Sequence, residues 1–183
     1  MSDNFRILGV GGAGVNIVRS LGYENTVFID SYHFNSLERI AEYLGNSTKE
    51  KDVVIVTSPA GQFSSSVLKT VCGVLNSMNV NISLIAVMPF HSESPERKRR
   101  GELVLKELKG DVESTEVVEN ENFASAMQEY PWTHVMSHIN EHIRGLVNGI
   151  VSRVQDTSTL GQREMTAYQK SVTLGANAGM SPN

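Results

Sequence analysis

The sequence predicts an α/β fold: one three-layer domain in which a parallel sheet carries helices on both faces. Three observations lead there. Short apolar runs alternate with amphipathic segments through the first two-thirds of the chain, the pattern of successive β–α–β units whose strands are buried on both sides. A glycine cluster, Gly9-Val10-Gly11-Gly12-Ala13-Gly14, joins the first apolar run to the first amphipathic segment. No repeat or low-complexity linker divides the 183 residues, a length that suits one domain burying roughly two-thirds of its unfolded surface.

Phe5 to Val10 reads as a buried strand, because about five apolar residues ended by glycine are too few for a helix. Asn16 to Leu21 has helical spacing, with Gly22 expected as its C-terminal cap. Thr26 to Asp30 is a second strand. Leu37, Ile40, Ala41 and Leu44 recur at helical spacing, and Gly45 is expected to end that helix. Asp52 to Thr57 is the third strand, Ser58 to Ser66 is expected as a loop, and Val67, Leu68, Val71, Val74, Leu75 and Met78 form an apolar helical face. Ile82 to Met88 is a strongly apolar strand. A charged helix from about Glu96 to Lys109 and a short strand around Thr115 to Val118 follow. Helices are then expected over Phe123 to Tyr130, Thr133 to Val154 and Gln162 to Ser171. The domain is drawn at 1–171, with 172–183 as a flexible tail.

Apolar content of 40%, charged content of 20% and a net charge of −4 describe an ordinary soluble globular protein and give no reason to expect nucleic acid or an anionic membrane as partner. The basic run Arg97-Lys98-Arg99-Arg100 is too short and isolated to change that. Cys72 is the only cysteine, so no internal disulfide framework exists, and its place beside an apolar helix face marks a core thiol. No signal-peptide pattern opens the chain and no apolar run approaches the ~18 residues of a membrane span; a cytoplasmic protein is expected. His134, His138 and His142 share one helix face, but without a nearby cysteine or an HEXXH pattern they read as ordinary helix residues and no metal is assigned. No G-x-S-x-G elbow supports a serine hydrolase.

The glycine cluster carries the chemistry. Gly9, Gly11 and Gly14, between a strand and a helix, satisfy G-x-G-x-x-G. Residues without side chains let the backbone approach phosphate, and the helix N-terminus offers unpaired N–H groups to the anion. Asp30, at the end of the second strand, would suit a ribose hydroxyl, as in NAD(P)-binding Rossmann oxidoreductases. A turn-forming role for Asp30 stands beside that reading.

Further blocks point to a family. GVGGAGVNIV resembles the first loop and helix of the tubulin/FtsZ superfamily, with Asn16 at a nucleotide-contacting asparagine. DVVIVTSPAG resembles the third strand running into the family's signature loop, and the pattern continues without a gap from Thr57 to the MPF ending at Phe90. HINEHIRGLVNGI resembles the start of the long central helix. The resemblance implies the three-layer, Rossmann-like GTPase-domain fold and GTP or GDP as ligand, with Mg only if a triphosphate is bound. It implies nucleotide contacts from Gly11, Gly12, Ala13, Gly14, Asn16, Gly61, Ser64 and Ser66. It places Glu93 and Arg97 at ribose and phosphate, and Asn120, Asn140 and Glu141 at the base.

The departures from the family are as informative. Its glycine signature reads Gly61-Gln62-Phe63-Ser64-Ser65-Ser66-Val67 here, with only the first glycine kept and a ring at Phe63 where phosphate should pack. Between Asn35 and Lys51 there is room for one helix, where the family has a much longer segment carrying the loop that senses the terminal phosphate. The catalytic carboxylate loop is matched best by Thr159 to Glu164, with Gly161 at the first aspartate and Glu164 the remaining acid. The family's second domain has no counterpart in this sequence. Together these imply a divergent guanine-nucleotide-binding protein with weak or absent GTPase activity. Such a protein would self-associate or partner an FtsZ-like filament.

Overall fold

The computed structural model describes the backbone of residues 5–177 and the side chains of residues 5–156. Strands and helices alternate in the order β1 (Phe5–Val10), α1 (Gly11–Leu21), β2 (Thr26–Ile29), α2 (Leu37–Ser47), β3 (Asp52–Thr57), α3 (Gln62–Ser77), β4 (Asn81–Met88), α4 (Pro95–Leu108), β5 (Ser114–Glu119), α5 (Asn120–Ala126) and α6 (Trp132–Asn177). The strands form one sheet in the order β2-β1-β3-β4-β5, and every neighbouring pair is parallel. Leu8 sits opposite Ile55, and Ile55 opposite Leu84, at the centre of the sheet.

The alternation of side chains along each strand divides the core in two. On one face Leu8, Val53, Ile55, Leu84 and Ala86 pack with Ile40 and Leu44 of α2, Leu68 and Leu75 of α3, and Val104 and Leu108 of α4. On the other face Ile7, Val54, Val56, Ile85 and Val87 meet Ile17, Val18 and Leu21 of α1 and the stripe Val135, Ile139, Ile143, Val147 and Ile150 of α6. This is the expected sheet with helices on both faces.

Several local expectations are corrected. Helix α1 begins at Gly11, five residues earlier than its apolar spacing suggested, because Gly11 adopts φ +74° and lets the helix start directly from the strand. Gly22 does close it, at φ 72°. Gly45 does not end α2; a Cβ there would meet nothing within 4 Å, so it is a solvent-side residue tolerated at a propensity cost of about 1 kcal/mol. The stretch expected as a loop up to Ser66 is helical from Gln62. The separate helices expected beyond Thr133 are one element, α6, which continues through Asn177. No proline lies between 132 and 177, so nothing there forces a break. Residues 178–183 of the expected tail lie outside the described residues.

Candidate functional site

The strand order reverses between β1 and β3: the chain leaves β1 toward β2 on one side and leaves β3 toward β4 on the other. The loops after these two strands therefore part, and a crevice opens at their carboxyl ends, the place where doubly wound sheets take ligands. Its geometry is set by close contacts. Buried Thr57 donates its hydroxyl proton to the carbonyl of Val10 at 2.9 Å, which joins the two strand ends. A Cβ on Gly14 would lie 2.3 Å from the carbonyl oxygen of Val56, so α1 packs on β3 at a distance only glycine permits. Gly14 is thus a packing residue under the crevice, and Gly11 makes its turn.

The crevice is a cavity of about 250 Å³. Gly11, Gly12 and Ala13 of α1 line one side, Ser58 and the Gly61–Ser64 turn line the other, and Arg97 of α4 completes it. Two helices start there, and neither has a side-chain cap: α1 follows Val10 and α3 follows Gly61. By contrast α2 and α4 are capped by Ser36 and Ser94, whose hydroxyls accept from Arg39 and Arg97 N–H, while the short α5, away from the crevice, is uncapped as well. Two sets of first-turn N–H groups and the positive ends of two helix dipoles therefore converge on one cavity. Arg97 adds a full positive charge, held by an ion pair with Glu93, whose other oxygen accepts from Phe90 N–H at 3.0 Å. Arg100 fixes the far loop by donating to the carbonyl of Ala60 at 3.1 Å.

Ser64 is buried beneath Gly11, and its hydroxyl proton is shared between the carbonyls of Ser58 (2.5 Å) and Gly61 (3.2 Å). It braces the turn with that hydroxyl. Ser66 donates to the carbonyl of Phe63 at 2.7 Å and lines a different hollow, of about 310 Å³, between α2 and α3. Phe63 borders both cavities and leans on the apolar core.

Of the residues expected at a base, Asn140 and Glu141 lie on α6 and Asn120 at the start of α5. Asn140 and Glu141 line a groove of about 390 Å³ together with Ser20, Thr133, Ser137 and Arg144. Arg144 donates to the carbonyl of Leu21 at 2.7 Å and to Glu141 at 3.3 Å, tying the two helices together. Asn16 is exposed on α1. Asn120 is buried at the start of α5. The side-chain carbonyl oxygens of Asn120 and Asn140 are both buried without a partner among the described residues, a costly state for a polar atom unless a ligand or water supplies a donor. The side chain of Glu164 lies outside the described residues.

Asp30 takes the turn-forming role. One of its carboxylate oxygens accepts from the backbone N–H of Tyr32 (3.1 Å) and His33 (3.0 Å) and meets the His33 ring nitrogen at 2.8 Å. Burial pushes this carboxyl up, but the His33 and Tyr32 hydrogen bonds outweigh it and leave the group below its usual range. His134 faces Tyr130 and His142 faces Phe123 at ring-centroid distances of 6.3 and 5.3 Å. Among the described residues no three His, Cys, Asp or Glu side chains gather as a metal site. Burial, and secondarily Asp111, push the Cys72 thiol up to about 12. Sequence reasoning missed Thr57 and Arg100 as shapers of the crevice; their only signals were a hydroxyl ending an apolar strand and one cation within a basic run.

The sheet order, the two-faced helical cover and the crevice define a tubulin/FtsZ-like fold. An FtsZ dimer from M. jannaschii superposes with a TM-score of 0.68 at 18% identity, over 82% of this chain and 55% of that one. TubZ from the Clostridium botulinum phage c-st gives 0.60 at 17% identity, over 81% of this chain and 59% of that one. TubZ of bacteriophage PhiKZ, in a protofilament, gives 0.60 at 16% identity, over 81% and 56% respectively. The chain thus spans little more than half the length of these structures. No family model matches the sequence, and no curated protein does. No helix among the described residues is long and apolar enough to cross a membrane.

Proposed function

We propose that this protein binds a guanine nucleotide in the β1/β3 crevice with little or no hydrolysis, and that it acts in the cytoplasm as a structural or regulatory module. The observation that carries the reading is the convergence of two uncapped helix N-termini and Arg97 on one 250 Å³ cavity, an arrangement suited to a di- or triphosphate. The unpartnered carbonyl oxygens of Asn120 and Asn140 are acceptors of the kind that the N1–H and amino group of guanine would satisfy. Against turnover, the Gly61–Ser64 segment is closed into the start of a helix and its serine hydroxyl is committed to the loop's own carbonyls. Nothing in the cavity lining supplies a carboxylate to orient water. Magnesium would enter only with a triphosphate. The named neighbours include a dimer and a protofilament, which supports self-association or pairing with an FtsZ-like filament as the mode of action.

The test is calorimetry on nucleotide-stripped protein with GDP, GTP, ATP and NAD, followed by a phosphate-release assay. Micromolar or tighter binding of GDP and GTP, with ATP at least tenfold weaker and phosphate release at background, is the expected result. Release above background that Glu164→Ala abolishes would overturn the non-hydrolytic reading. Preferential NAD binding, weakened by Asp30→Ala, would replace it with a dinucleotide enzyme.

A further inference from the structure

On the side of Phe63 away from the glycine turn lies the 310 Å³ hollow between α2 and α3. Phe34, Leu37, Ile40, Phe63 and Val67 give it an apolar lining, and none of its lining residues carries a charge. A phosphate would not settle there, whereas a flat, weakly polar ring would. The hollow is preorganised. The Asp30 turn holds Phe34, whose N–H donates to the Asp30 carbonyl at 3.1 Å, and the Phe34 ring packs on Tyr43 at 5.0 Å between centroids. The Ser36 cap fixes the start of α2. Asn35 stands at the rim, exposed, and its amide is free to read the edge of a base.

Phe63 borders the phosphate crevice as well. Two spaces therefore meet at Phe63 at the carboxyl end of the sheet: the anion crevice and this aromatic hollow. We infer that the hollow is a subsite for the second nucleoside of a dinucleotide, a ligand in which two nucleosides are joined through their phosphates. The phosphates would sit at the two helix starts, and the second base against Phe34 and Phe63. This deepens the nucleotide-binding reading and rests on it.

The experiment compares, by calorimetry, GDP, GDP β-methyl ester and guanosine-5′-diphospho-5′-adenosine. The methyl ester matches the charge of the dinucleotide and lacks its second nucleoside. The dinucleotide is expected to bind at least tenfold more tightly than the ester. Leu37→Asp, at an exposed first-turn position where an acidic residue suits the helix, is expected to remove that gain and leave GDP binding unchanged. GDP binding without any gain for the dinucleotide overturns this inference and leaves the proposed function standing. A gain that survives Leu37→Asp and also Phe34→Ala overturns the location. Failure of all three ligands to bind overturns both readings.

Discussion

At Gly14 an alanine methyl would meet the Val56 carbonyl oxygen at 2.3 Å, a backbone atom that cannot swing aside. Gly14→Ala should therefore cost about 1–3 kcal/mol of stability, read as a lower midpoint in urea. Gly12, two residues earlier on the same helix, has nothing within 4 Å of its would-be Cβ. Gly12→Ala should leave the urea midpoint within error while weakening the proposed nucleotide binding, since Gly12 lines the crevice. If both variants behave alike, the division between a packing glycine and a binding glycine fails. Arg97 is the one cation lining the crevice, so Arg97→Ala should weaken GDP binding about tenfold, or ~1.4 kcal/mol, in a salt-dependent way. The glycine turn could be read from sequence because the requirement for missing side chains is local. The division of labour among its glycines could not, because it depends on β3, more than forty residues away.

Among the elements, the strands were legible because each is a short apolar run with glycine or a polar cluster at its ends; their order in the sheet was not. The helix starts were not. Spacing of apolar residues locates α1 only from its buried face, whereas its first turn, Gly11 to Gly14, is defined by backbone angles. The same holds for α3, whose serines look like a loop but hydrogen-bond back into the turn. At the opposite end of the sheet, Arg6 of β1 grips Glu50 through two contacts, 2.8 and 2.5 Å. Burial pushes the Glu50 carboxyl up, but the hydrogen bond from Arg6, the backbone N–H groups of Lys49 and Glu50 and the Arg6 charge together outweigh this and lower it overall. A lowered carboxylate stabilises the fold above its ordinary value near 4.3 and loses that contribution as the pH falls through the folded value. Glu50→Gln should cost about 1 kcal/mol at pH 7 and flatten the acid limb of the stability profile. An unchanged acid limb would mean that the pair is not formed in solution.

For the molecule as a whole, the segment between β2 and β3 holds only α2, and β2 is the edge of the sheet. The β1/β3 crevice is consequently flanked by the apolar hollow. Sequence comparison flagged the shortness of this segment; the hollow it leaves emerges only when α2 and α3 are set side by side. The core itself offers a clock. Cys72 is wholly buried, and its thiol is pushed up to about 12, so the thiolate that reacts with disulfide reagents is both scarce and unreachable. At pH 8 the folded protein should react orders of magnitude more slowly than the urea-unfolded chain, in a single exponential set by opening of the core. Rapid labelling under native conditions would show that α3 does not stay seated on the sheet.

The two uncapped helix starts at the crevice have a thermodynamic corollary. Eight amide protons at most find no acceptor within their own helices, and any small anion that reaches them adds its binding free energy to the free energy of folding. The melting temperature then serves as a balance on which anions can be weighed before the natural ligand is known. An oxyanion present at one hundred times its dissociation constant should raise stability by about 2.7 kcal/mol, roughly 5–10 °C for a chain of this size. Ranking pyrophosphate, phosphate, sulfate and chloride in this way would report how many phosphoryl groups the fold is shaped to hold.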